Sequence, residues 1–375
     1  MAKTPSQLIE IATRSQVFIE RYKGGIVKEY EPFLVEMAKL IRKKLEGKEL
    51  TSFSRGRLNK LLKVIAKDLM ILQGTYLDED FYPSSFTLAK QQAKFEVKSL
   101  QQVVKYDFVT PSETQLTSAV LTNPMSAEGY AGKLLDPFIK DISKNEVAKI
   151  TNLIRQGVYE GLTTPQIVNN IIGTKKNKFT DGQLVKTNRN MSNMVRTAVQ
   201  HVSSQARQET WNRNNDIIKG VTWVSTLDSR TSTICRSLDQ QEFPLNKGPR
   251  PPIHIGCRST TAALLSEQFA FLRKGATRKA RNPETGKVEE IPAKTSYYDW
   301  LKGQSSSFQD SELGKTRGKL LRDGKLSSQR FAELQLGRNF RPLTTITRNG
   351  KKITPLEQME EMEPLAFERA GISSE

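Results

Sequence analysis

The sequence predicts a mainly α-helical protein carrying one small α+β unit, and three observations lead there. Apolar residues recur at three- and four-residue steps along much of the chain up to Trp211, the spacing of a buried helical face. Runs rich in β-branched residues are short and begin near Gly220. The hydrophobic fraction of 37% and the mean hydropathy of -0.52 suit an elongated, helix-rich chain with much polar surface. The expected architecture is an N-terminal helical bundle or set of docking helices, a helical lead-in with short strands around a Cys/His cluster, and an irregular basic C-terminal extension. A chain of 375 residues should divide into more than one unit. The divisions expected are a helical region over 1–110, a linker or extended arm over 111–139, a core over 140–265, and a basic extension with short helices and an acidic end over 266–375.

The N-terminal helices are read from three stripes. Ile26, Tyr30, Phe33, Leu34, Met37, Ile41 and Leu45 form the first, with Gly47 where a C-cap belongs. Leu58, Leu61, Leu62, Ile65, Leu69 and Leu72 form the second, ending at Gly74; Phe86, Ala89, Ala93, Val97, Leu100 and Val104 form the third, after Pro83. From Pro111 to Lys133 the periodicity fades into Ser, Thr, Asn, Pro and Gly, hence the expected linker. Val147, Ile150, Ile154 and Val158 then line one face as far as Gly161. Thr164 and Pro165 read as an N-cap and first helical residue, with Gly173 as the stop. The stretch from Gly173 to Asn190 reads as an exposed basic loop. A longer helix carries Met191, Met194, Val195, Ala198, Val202 and Ala206 towards Trp211, with His201 beside the stripe as a surface or boundary residue.

Next, Gly220 to Thr226 reads as a strand, Thr231 or Ser232 caps a brief helix through Leu238, and Ser259 to Leu265 can pair back. A hairpin turn is expected at Asn282 to Gly286, with short helices through Tyr297 to Leu301 and Leu313 to Leu336.

The formal charge of +18 is unevenly placed. Residues 151–350 hold 32 Lys and Arg against 16 Asp and Glu, while the last 25 residues hold 3 against 6. A field of that sign attracts polyanions, and phosphate contacts need cations but no particular sequence. Nucleic acid, bound non-specifically through its phosphates, is therefore the expected partner. The candidate contacts are Lys175, Lys176, Lys178, Lys186 and Arg189; Arg273, Lys274, Arg278, Lys279 and Arg281; and Arg338 and Arg341. A solvated surface that only keeps the chain soluble is the plainer reading. No apolar run approaches the roughly 20 residues needed to span a bilayer, so no membrane role is expected, and assembly should take place in cytosol.

Both cysteines of the chain, Cys235 and Cys257, fall in one stretch with His254, one of its two histidines. Two thiolates and an imidazole are the donors a tetrahedral zinc site uses, and Asp228 could complete it. A buried non-metal cluster and a disulfide are the alternatives, since free cysteine is among the most often buried residues. Zinc, if held, would be structural, supplying folding energy to a loop-rich unit. Asp228 and Arg230 invite a catalytic reading, but an acid placed before a helix starting near Thr231, with Arg230 paired to a carboxylate, accounts for them. No His-Glu-x-x-His or Gly-x-Ser-x-Gly pattern occurs, and no catalytic residue is assigned.

The run Trp223, Asp228, Arg230, Thr231, Cys235, Leu238-Asp239, Phe243, Pro252, His254 and Cys257-Arg258 resembles, in order and spacing, the signature of the phage Mu F-like minor head proteins, the phage head morphogenesis family. The resemblance covers about 140–265, with a weaker similarity over 282–340. Many relatives have a cysteine after Cys257-Arg258 where Ser259 stands, and a glycine after the Leu-Asp pair where Gln240 stands. The resemblance implies a structural virion component in the capsid interior, associated with the portal and other capsid proteins. It would act in head assembly, genome packaging or DNA delivery, and would not be an enzyme. The alternative is an enzyme built on the Cys/His cluster, either a phage-borne toxin or a zinc-dependent hydrolase.

Overall fold

A computed structural model of the chain describes residues 6–266, 269, 276–337 and 340–374. The longest helix, α1 (Ser6–Leu45), is the spine of the molecule. Its 40 residues span roughly 60 Å at the helical rise, and successive parts of its buried stripe enter three different cores. Leu8, Ile9 and Ala12 join the core around the strands; Ile19, Ile26 and Tyr30 join a helical core; Met37, Ile41 and Leu45 join another. After a single 3-10 turn at Leu50–Ser52 comes α2 (Arg55–Tyr76), capped by Ser54. A π-helical turn at Leu77–Phe81 joins it to α3 (Tyr82–Val103), so the second and third predicted stripes form one nearly continuous run with no loop between them.

The expected linker is not extended. Ser112 and Gln115 form a capping box that starts α4 (Glu113–Thr122), which buries Leu116, Ala119 and Val120. Then follow α5 (Leu135–Tyr159) and α6 (Thr164–Ile172), whose cap is Thr163, one residue before the position expected. Gly173 ends α6 at φ +97°, which a side chain would resist. The basic loop after it is shorter than predicted, because α7 (Gln183–Asn212) already begins at Gln183. This central helix packs against α1, α3, α4, α5 and α6, so the N-terminal helices close onto the same cores as the segment they precede.

Three strands form an antiparallel sheet in the order β2-β1-β3: β1 (Ile218–Val224), then α8 (Thr233–Leu238), β2 (Glu242–Pro244) and β3 (Thr260–Leu265). Every residue of β3 and all of β1 except Lys219 is buried, as a sheet covered on both faces requires. Beyond it, β4 (Thr277–Arg281) and β5 (Val288–Pro292) make the predicted hairpin. The remaining segment is more ordered than the irregular extension expected from sequence. Helices α9 (Tyr297–Lys302), α10 (Ser306–Leu313), α11 (Lys315–Asp323) and α12 (Ser328–Leu334), the ribbon β6 (Ile346–Arg348) and β7 (Lys351–Ile353), and helices α13 (Pro355–Met362) and α14 (Pro364–Ala370) complete the described chain. Tyr297, Tyr298, Leu301, Leu320, Phe331 and Phe367 give this segment its own buried core.

Candidate functional site: a Cys/His cluster in a polar lattice

Cys235 and Cys257 are buried free thiols with Sγ atoms 3.8 Å apart, and Cys235 Sγ is 3.2 Å from His254 Nε2. The three donor atoms all lie within 4.8 Å of one another. Ser232 places the first by capping α8, its hydroxyl accepting from the Cys235 amide. A tight turn in which the Cys257 amide donates to the His254 carbonyl places the other two. His254 Nδ1 is 2.9 Å from the Ile255 carbonyl oxygen, which can only accept, so Nδ1 carries the proton and Nε2 faces the thiols. The Ser232 hydroxyl lies 2.9 Å from Nε2 and can donate to it.

Burial pushes the Cys235 thiol up, and the neighbouring Cys257 pushes the same way. At Cys257 burial also opposes ionisation, but the hydrogen bonds from Cys235 and His254 outweigh it and hold this thiol well below the ordinary range. His254 is raised: burial disfavours its charged form, and the adjacent Cys257 more than compensates. The two shifts run towards the charged forms of Cys257 and His254.

The set also fits three corners of a zinc tetrahedron. Two thiolates each about 2.3 Å from a zinc ion at the tetrahedral angle stand about 3.8 Å apart, the separation of Cys235 and Cys257. Asp228 is not the fourth corner. Its carboxylate takes a bidentate pair from Arg258 at 2.6 and 2.7 Å and accepts from the Arg230 amide and the Thr231 hydroxyl. Burial alone would raise Asp228, but the Arg258 guanidinium holds it below the usual carboxylate value. Arg230, expected to pair with a carboxylate, reaches Asp228 at 3.6 Å while its side chain stays 71% exposed, the closer contacts being those of Arg258. Trp223 donates from its indole to the Ser225 hydroxyl, which donates to the Cys235 carbonyl.

A second buried pair ties this loop to the C-terminal segment. Asp239 accepts from the Ser225 amide and pairs with Arg278, both side chains being 0% exposed. Arg278 also donates to the carbonyls of Ser225 and Thr295. Arg236, buried in α8, pairs with Glu312, and the Tyr297 hydroxyl donates to the Asp228 carbonyl.

The stretch holding these residues matches a known family: residues 148–262 fit the model described as Phage Mu protein F like protein. Over these residues, less than half of the chain, the sequence is similar to that family. The family supports a structural role in phage head morphogenesis. No curated protein and no solved structure matches the chain. Among the described residues, no helix is long and apolar enough to cross a membrane.

Within the Mu F-like region, Trp223, Asp228, Thr231, Asp239 and Arg258 bond to one another or to the loop between β1 and α8. Two helices outside the signature support them. Lys23, 1% exposed, donates to Glu20, Gln200 and the Cys257 carbonyl, while Gln200 donates to the Ser259 carbonyl. Glu96 accepts from Arg207 and from the Trp211 indole in a further buried pair. Sequence reasoning missed these residues. Gln200, Ser203 and Arg207 do repeat at helical spacing through an apolar stripe, and that polar line was the available signal.

The basic candidates separate. Lys175, Lys176, Lys178, Lys186 and Arg189 are exposed, and none is paired with a carboxylate among the described residues. The loop carrying Lys175, Lys176 and Lys178 is held by Asp181, which accepts from the Thr174 amide and hydroxyl and from Asn177; those bonds lower its carboxyl to about 2. Lys279 and Arg281 are exposed on β4. Arg341 is half-buried, 3.9 Å from Glu128. Arg278, expected to face DNA, instead points inward to Asp239, because β4 alternates and Arg278 shares the buried face with Ala280. Arg273, Lys274 and Arg338 lie outside the described residues. His201 is buried and not a boundary residue: its Nε2 lies 3.2 Å from the Val120 carbonyl of α4, and burial lowers its pKa to about 4.

Proposed function

We propose that the chain is a minor structural protein of a tailed-phage head, placed in the capsid interior beside the portal. There it contacts double-stranded DNA non-specifically during assembly, packaging or delivery. The family match over 148–262 carries this reading. Two features support it. Asp228, Arg258 and Asp239 of the signature are engaged in internal bonds that fix one loop, as a scaffold needs, and Lys175, Lys176, Lys178, Lys186 and Arg189 are exposed cations with no carboxylate partner among the described residues. Cys235, His254 and Cys257 would hold a structural zinc ion, whose binding contributes folding energy to the Mu F-like region.

DNA binding measured against salt tests the reading. Five phosphate contacts give a slope of log K against log salt of about -4 to -5, and replacing all five residues with Gln should flatten it by most of that amount. Unchanged affinity and slope in that variant would remove DNA from the proposal.

A further inference from the structure

Between α1 and the β4–β5 hairpin lies a cavity of about 450 Å³ that the signature network borders but does not fill. This volume is within the range of ligand sites, roughly 300–1,000 Å³. Its floor is apolar: Val224, Leu227 and Ala280 are buried there, with Leu227 bridged to Ala280. Two apolar side chains stand at its mouth in the open, Val17 of α1 at 39% exposure and Val288 of β5 at 62%.

The charge around this mouth is unbalanced. The lining carboxylates are already engaged, Glu20 by Lys23 and Gln16, Asp228 by Arg258. Arg21, Lys279 and Arg281 line the cavity without a carboxylate partner among the described residues, and Arg230 reaches only the occupied Asp228. Apolar walls inside a ring of uncompensated cations complement a ligand that carries an apolar side chain between carboxylates. Duplex DNA makes a different demand. Its phosphates need cations on an open surface, gain nothing from a valine-lined recess, and cannot enter a space of this size.

We propose that this cavity seats a short acidic, apolar-anchored segment of a partner protein. An apolar side chain fills the recess over Leu227 and Ala280, and flanking carboxylates pair with Arg21, Arg230, Lys279 and Arg281. The partner is thereby recognised by an alternation of acidic and bulky apolar residues, and its contact is separate from the exposed cations proposed to meet DNA.

The test uses the full chain and a fluorescein-labelled short peptide alternating Glu and Leu, read by fluorescence polarisation. Two variants at exposed positions, Arg21→Glu with Arg281→Glu and, separately, Val288→Glu, keep the core intact; circular dichroism confirms the fold of each. Affinity for the peptide should fall by about tenfold or more in both, a difference of about 1.4 kcal/mol, and a short duplex oligonucleotide should not displace the peptide. Three results would overturn the proposal: no binding to the unaltered protein, equal binding of an all-Glu peptide, or displacement by the duplex. The second would show that charge alone attracts the peptide, and the third that the surface belongs to nucleic acid.

Discussion

Replacing Arg278 with Ala should destabilise the protein by about 3–5 kcal/mol, the usual cost of breaking a buried ion pair from one side. The guanidinium gives Asp239 two bonds, at 2.9 and 3.2 Å, and also satisfies the carbonyls of Ser225 and Thr295. Without it, Asp239 keeps only short-range support such as the Ser225 amide at 2.6 Å, and a carboxylate with no exposed surface loses its counter-charge. Burial already pushes Asp239 above its ordinary pKa against the pull of Arg278, so removal of Arg278 should leave it protonated or the segment displaced. Urea unfolding followed by tryptophan fluorescence reads this well, because Trp211 and Trp223 lie in the core around the strands and Trp300 in the C-terminal core. With a slope of about 3 kcal/mol per molar urea the midpoint should fall by more than about 1 M. The Trp300 signal should move with or ahead of the other two. A loss below about 0.5 kcal/mol, typical of a surface substitution, would refute the claim that Arg278 clamps the C-terminal segment to the Mu F-like region.

The remaining expectations are more compact. His201, lowered to about 4 by burial, is neutral in the folded state, whereas unfolding frees it to titrate near 6.5. Its contribution is therefore complete above that value and is lost as pH falls towards 4. Between about pH 7 and pH 5 this term should remove about 2 kcal/mol of stability, and His201→Asn should remove that part of the slope in urea midpoints. Purified protein should carry about one zinc ion per chain by elemental analysis, and Cys235→Ser should carry none. Metal-free wild-type protein with undiminished stability would contradict the zinc assignment. Gln240 sits at φ +64°, and its side-chain amide nitrogen is buried without a partner among the described residues. Gln240→Gly should raise stability by about 0.5–1 kcal/mol; a lower melting temperature would count against that strain.

The long helices were legible in the sequence because their apolar stripes are local and periodic, and the meeting of Cys235, His254 and Cys257 was legible from rarity alone. The errors share a cause, which is dependence on partners distant in sequence. Helix α4 offers only a short apolar stripe and reads as a linker until α7 is placed beneath it. His201 was then misjudged, since the Val120 carbonyl that helps bury it belongs to that unpredicted helix. Arg278 looks like any member of a basic run, and only Asp239, 39 residues away, makes it internal. The predicted turn at Asn282 to Gly286 did contain a usable hint. A strand leading into that turn must alternate, which puts Arg278 on the face of Ala280 and leaves Lys279 outside. Asp228 was weighed as a fourth zinc ligand because spacing cannot show that Arg258 reaches it first.

The structural head role is tested most directly by co-expressing the chain with the portal and capsid proteins of the same phage, purifying the assembled heads, treating them with protease and quantifying the chain by mass spectrometry. The account predicts a few copies per head, protected from the protease until the shell is opened. Heads that lack the chain, or that lose it to protease while intact, would contradict a place inside the capsid.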